Sequence, residues 1–159
     1  MSRGKTISKR VIQPDPLYKS GLLAKFINYL MERGKKSVAQ TIVYQALEMI
    51  KKKKNQEPLK LFEQAIEALR PQLEVRSRRV GGANYQIPLP VSVGRQNYLA
   101  CTWLIQAART RKGQTMVDRL VAELLDVTDG TGAALKKKED VHRMAEANKA
   151  FAHFARFSR

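Results

Sequence analysis

The sequence predicts a mainly α-helical domain: six helices, one β-hairpin protruding between the third and fourth, and an extended basic N-terminal arm. Three observations carry this. Apolar residues recur at intervals of three and four through most of the chain, the period of a helix with one buried face. The period drops to two only around Gly81-Gly82, between about residues 73 and 89. Residues 1–18 show neither period and carry Arg3, Lys5, Lys9 and Arg10 ahead of Pro14 and Pro16. The chain has 159 residues, 43% of them hydrophobic. That suffices for one core in a domain of ordinary size (roughly 100–200 residues) and exceeds what a disordered basic tail carries. The expected division is an arm over 1–18 and a helical body over 19–159.

Each element follows from local chemistry. In the arm, two prolines one residue apart oppose a helix and favour an extended path. The first helix starts near Ser20, sets Leu23, Ile27 and Met31 beside Leu22, Phe26 and Leu30, and ends at Gly34. The second spans about Ser37 to Lys53 on a stripe of Ala39, Ile42, Val43, Ala46, Leu47 and Ile50. Lys51 to Lys54 close it, where positive charge suits the negative end of the helix dipole. Pro58 fits the first turn of the third helix, Leu59, Phe62, Ile66 and Leu69 form its buried face, and Pro71 stops it. In the hairpin Val75, Ser77 and Arg79 alternate with Arg76, Arg78 and Val80, and Tyr85 and Ile87 follow the turn. Pro88 and Pro90 should end the pairing, since proline lacks an N–H. A fourth helix runs from a cap at Ser92 or a neighbour to about Arg109, its apolar residues wrapping much of its surface. Thr115 with Asp118 resembles a capping box, with Asp for the usual Glu, and opens a fifth helix on Val117, Leu120, Val121, Leu124 and Leu125. Asp129 to Gly132 form a loop, and a last helix from about Lys138 holds Val141, Met144, Ala145 and Phe151.

Lys plus Arg number 30 against 14 Asp plus Glu, a net charge of +16. Such a surplus repels itself, and a dense polyanion relieves the repulsion. Nucleic acid is the first expected partner and an anionic membrane surface the second. The longest apolar runs fall short of the roughly 18 residues that suggest a membrane span. The start lacks the apolar core of a secretory signal and leaves little room for a transit peptide, so a bacterial or organelle-encoded product is expected. Cys101 is the single cysteine, which excludes an intrachain disulfide and a cysteine-based metal site.

No active site assembles from these residues. His142 and His153 stand eleven positions apart, without the close pairing of a helical metal motif. Gly81-Gly82 and Gly130-Thr131-Gly132 lack phosphate-loop spacing and read as turns. Glu123 and Asp126 read as helix-surface residues. No catalytic residue, metal, cofactor or small-molecule substrate is expected. The basic residues are better placed. Arg76, Arg78 and Arg79 sit on a ribbon with little apolar surface of its own, and guanidinium forks match phosphate geometry. Tyr85, across the turn, offers a ring for stacking on a base. Lys35 and Lys36 stand at a helix N-terminus, where they oppose the dipole unless an anion joins them. Lys136, Lys137 and Lys138 flank the start of the last helix and invite the same argument, and Arg109, Arg111 and Lys112 form another basic loop. Arg95, Arg143, Lys149 and His153 complete the candidate RNA contacts. Such contacts position a protein on nucleic acid more than they read its sequence.

Three ordered blocks carry a family resemblance. The first comprises Ser20, Leu22, Phe26-Ile27, Gly34-Lys35-Lys36, Ile42-Val43 and Ala46. The second is the run from Val75 to Pro88, and the third the run from Lys136 to His153. Together they resemble the small-subunit ribosomal protein S-seven family along nearly the whole chain. The resemblance implies a helical fold with an extended hairpin, and a structural constituent of the small ribosomal subunit acting in translation. It implies primary binding to the 3′ major domain of small-subunit rRNA, nucleation of head assembly, and a place near the exit-site tRNA and departing mRNA. It also implies ribosomal protein S-eleven as a neighbour, and a ribosome of the bacterial cytoplasm or of a chloroplast. The chain departs from the family pattern near Pro90, where an acidic residue is usual, at Thr102, where a basic one is, and in a tail that continues past Phe154. Two other classes compete with this reading: a free nucleic-acid-binding regulator, for example one that binds its own messenger, and a small hydrolase using Cys101 as nucleophile.

Overall fold

The computed structural model describes residues 12–80, 82–113 and 115–157, with side chains excepted at 80 and 155–157. Arg3, Lys5, Lys9 and Arg10 lie outside the described residues. The elements are α1 (Gly21–Leu30), α2 (Lys36–Lys54), α3 (Pro58–Leu69), β1 (Leu73–Val80), β2 (Ala83–Pro90), α4 (Val93–Thr110), α5 (Met116–Thr128) and α6 (Ala133–Ala147). A 3-10 helix, Lys149–Phe157, follows. The fold class is as the periodicities predict, with one antiparallel hairpin between α3 and α4.

One apolar cluster joins the helices. Leu23, Phe26 and Ile27 of α1, Leu47 and Ile50 of α2, Phe62 and Ile66 of α3, Leu104 of α4 and Leu120 and Leu124 of α5 are all fully buried. Phe26 and Phe62 meet edge to face at 5.1 Å between α1 and α3. Burial of each such side chain contributes about 1.5–3 kcal/mol. Helix α5 packs against α2, α3, α4 and α6 and so forms the axis of the bundle. The hairpin lies mostly outside this core: Ile87 and Pro88 are buried near its root, while Arg79, Gly82, Ala83 and Asn84 are exposed at its tip.

Several element ends differ from expectation, each for a physical reason. Helix α1 stops at Leu30, before Gly34: Met31 turns extended with ψ 135°. Arg33 and Gly34 then both take left-handed backbone, with φ +50° and +75°. That conformation is cheap for Gly34 and costs a side-chain-bearing residue such as Arg33 roughly 1–2 kcal/mol. Ser92 occupies the N-cap position of α4 but makes no side-chain cap bond. Thr115 accepts the Asp118 N–H at 3.3 Å and donates its hydroxyl to the Asp118 carboxylate at 2.6 Å, a variant of the capping box.

The prolines do not end the hairpin. Pro88 pairs with Val75 and Pro90 with Leu73. The Val91 N–H donates to the Gln72 carbonyl at 3.1 Å, which sets the parity of the ladder. Odd-numbered residues of β2 thus turn their N–H groups toward β1, and even-numbered ones turn theirs outward. Both prolines fall on outward positions, where no ladder bond is lost.

The last α-helix begins at Ala133, five residues before the expected start, and ends at Ala147, so Phe151 belongs to the 3-10 helix. Its first turn is capped from elsewhere: the Ala134 N–H donates to Glu123 Oε1 at 2.8 Å. Glu123 is fully buried, contrary to its reading as a surface residue.

Candidate nucleic-acid interface

The hairpin register sorts its arginines. Arg76 opposes Ile87, Arg78 opposes Tyr85, and Arg79 opposes Asn84. With side chains alternating along a strand, Arg76 and Arg78 share one face of the ribbon and Arg79 takes the other. Arg76 and Arg79 are exposed and Arg78 is half-buried. Glu74 anchors the root: it pairs with Arg76 on its own strand and accepts the Arg95 Nε–H of α4 at 3.1 Å. The Arg95 guanidinium in turn lies over the Tyr98 ring, 5.0 Å from its centre.

Helix α6 fixes the same root from the other side. Lys138 donates to the Ala68 carbonyl at 2.6 Å, capping the end of α3. His142 Nε2 accepts the Gln72 N–H at 3.2 Å. Burial, and secondarily the charge of Lys138, lowers the His142 pKa and favours the neutral ring that this acceptor role requires.

Tyr85 does not stand free on the hairpin. Its ring packs against Phe151 at 5.1 Å and Phe154 at 5.5 Å, so the 3-10 helix closes over β2. His153 packs on Phe154, with ring centres 4.0 Å apart, and its Nδ1 lies 2.8 Å from the Ala150 carbonyl oxygen. The tail and the hairpin therefore form one unit, with Lys149 exposed on it.

Lys35 and Lys36 are exposed at the start of α2, and no side chain caps that end. Lys35 borders a cleft of about 330 Å³ also lined by Arg109, Leu30, Ile42 and Met116. Arg109 reaches back to α1, pairing with Glu32 at 2.8 Å and donating to the Leu30 carbonyl at 3.3 Å. Arg111 turns inward: its Nε donates to Glu123 at 2.8 Å, and its Nη2 also contacts Asp126. It locks the end of α4 to α5, while Lys112 beside it is exposed. Arg119, which the sequence reading passed over, donates to the carbonyls of Arg109 and Arg111 at 3.3 and 3.1 Å.

The three lysines near the last helix need correction. Lys136, Lys137 and Lys138 lie within α6 and do not flank its start. Because the Glu123 carboxylate already occupies that N-terminus, the phosphate argument fails there. Lys136 and Lys137 remain exposed, and Arg143, exposed on the same helix, pairs with Asp140 at 3.1 Å. Two aromatic residues were also missed. Tyr29 of α1 and Tyr98 of α4, which no sequence motif singled out, are 37% and 38% exposed. Only their position across the α1–α4 seam, invisible in one sequence, reveals them.

Residues 2–149 match the family described as Ribosomal protein S7p/S5e. The chain belongs to this family. Small ribosomal subunit protein uS7 of Marinobacter nauticus is 55% identical over 154 residues, covering 97% of this chain and 99% of the relative. The proteins of that name from Azotobacter vinelandii and Pseudomonas fluorescens Pf-5 are 55% and 56% identical over the same shares. The S7p/S5e family is a structural one, and the chain is not an enzyme. The hydrolase reading falls on geometry as well: Cys101 is fully buried, and burial pushes its thiol pKa up to about 12. Among the described residues, no group of three or more His, Cys, Asp or Glu could hold a metal ion, and no helix is long and apolar enough to cross a membrane.

Proposed function

We propose that this protein is a scaffold of the small ribosomal subunit that docks on the 3′ major domain of rRNA and nucleates assembly of the head. As a member of the S7p/S5e family it is a structural rRNA-binding component of the ribosome in translation. The finer placement rests on that kinship and on one observation: a ribbon carrying Arg76, Arg78 and Arg79 protrudes from a bundle whose other elements are cross-braced at its root. Arg3, Lys5, Lys9 and Arg10 of the arm, Lys35 with Lys36, the hairpin, and Lys112, Lys136, Lys137, Arg143 and Lys149 supply the phosphate contacts. The hairpin and tail face the exit-site tRNA and the departing mRNA, with ribosomal protein S-eleven as neighbour. The bacterial kinship of the relatives supports a ribosome in the bacterial cytoplasm, ahead of a chloroplast one.

The test compares binding to a 3′-domain rRNA fragment with binding to an unrelated RNA of equal length across a salt series. Log affinity should fall with log salt by about 0.7–0.9 per phosphate contact. Replacing Arg76, Arg78 and Arg79 together by Ala should lower both the affinity and that slope while thermal unfolding stays cooperative. A wild-type chain with no preference for the 3′-domain fragment would overturn the reading. A free messenger-binding regulator would instead leave the protein exclusively in the soluble pool on sedimentation.

A further inference from the structure

We propose that Tyr29 and Tyr98 form a stacking corner for one unpaired nucleobase of RNA, with Lys25 and Arg95 placed for the adjoining phosphates. This rests on the RNA-binding reading above and adds to it a site with a defined ligand. The two rings meet at 5.4 Å between centres and 89° between planes, one from α1 and one from α4. Perpendicular rings make a corner: a base lying on one presents its edge to the other. Both rings keep more than a third of their surface open to solvent.

The surroundings choose the occupant. Neither α1 nor α4 contains a single Asp or Glu. Lys25 is exposed four residues before Tyr29, and Arg95 lies three residues before Tyr98, so each cation shares a helix face with its ring. The Arg95 guanidinium already lies over the Tyr98 ring while Glu74 holds its Nε. Arg70, which pairs with Glu67 at 3.3 Å, bonds Asn97 of α4 at 2.8 Å. Glu74, from outside both helices, engages Arg95 through its Nε, and an aromatic surface flanked by Lys25 and Arg95 suits a base with its flanking phosphates. A purely apolar peptide would give the exposed Lys25 no counter-charge. An acidic segment of a neighbouring protein is the rival occupant.

The experiment uses the full chain and the same 3′-domain rRNA fragment. The pair Tyr29→Leu and Tyr98→Leu keeps apolar cover over the α1–α4 seam and removes the π faces; the pair Tyr29→Phe and Tyr98→Phe keeps the faces and removes the hydroxyls. The Leu pair should bind between about five- and a hundredfold more weakly with an unchanged salt slope, since stacking carries no counterion release. The Phe pair should bind as the wild type does. Arg95→Ala should lower the slope. Wild-type affinity for the Leu pair, beside weakened binding by the hairpin triple variant, would sink the stacking corner and leave the RNA reading standing. Equal losses in the Leu and Phe pairs would sink it too, by assigning the effect to the hydroxyls or to folding. Intact binding to naked RNA with defective incorporation into subunits would give the rings to a protein neighbour, again overturning the proposal.

Discussion

At the scale of single residues, the carboxylate of Glu123 holds three elements together. It lies wholly out of solvent, accepts Arg111 from the end of α4, caps α6 through the Ala134 N–H, and itself belongs to α5. Glu123→Ala should destabilise the fold by about 3 kcal/mol, because it leaves Arg111 short of a partner and an uncapped helix start behind. The urea midpoint reports this, and an unchanged midpoint would show that Asp126 alone suffices. Gly132 belongs to the same knot: a Cβ there would sit 2.6 Å from Val127 Cγ2. His142 gives the hairpin root a pH dependence. Its pKa is lowered below the ordinary imidazole value of 6.5, so as pH falls the unfolded chain takes up that proton first. The stability from neutral His142 is complete above 6.5 and is lost as pH falls through the folded-state value. Melting temperature should therefore drop on acidification below 6.5, and His142→Gln should flatten that part of the profile. A mutant curve parallel to the wild type would reject the assignment.

At the scale of elements, the tail behaves as a brace for the hairpin. Removing the chain after Asn148, or replacing Phe151 and Phe154 together by Ala, strips the aromatic cover from Tyr85. Amide exchange along β2 near Tyr85 should then accelerate severalfold while the bundle keeps its protection. Unchanged exchange in β2 would show that the ribbon holds its own shape. The elements themselves were legible because a helix with one buried face and a ribbon with alternating residues leave different periods in a sequence. What escaped was set by contacts between distant residues. The start of α6 has no local signal, since its cap comes from Glu123 on the preceding helix. The tolerance of Pro88 and Pro90 depends on ladder parity, which only the register reveals. Arg111 looked like a surface cation because its two carboxylate partners lie 12 and 15 positions away. The Tyr29–Tyr98 corner spans two helices that nothing local connects.

At the scale of the whole molecule, a net charge of +16 on 159 residues was plain from composition, and it has a cost in the free state. Raising salt from about 0.01 to 0.15 M shortens the reach of repulsion from roughly 30 to 8 Å. The melting temperature of the unbound chain should rise over that range, while its affinity for RNA falls. A melting temperature independent of salt would mean that the internal ion pairs already offset the excess. The hairpin raises a further matter for a chain that must wait in solution before assembly. Of the outward backbone positions on β2 (Asn84, Gln86, Pro88 and Pro90), two carry no hydrogen to donate. Another molecule's strand laid along that side would find gaps where its carbonyls need partners, so this edge of the hairpin is a poor template for strand addition between orphaned copies.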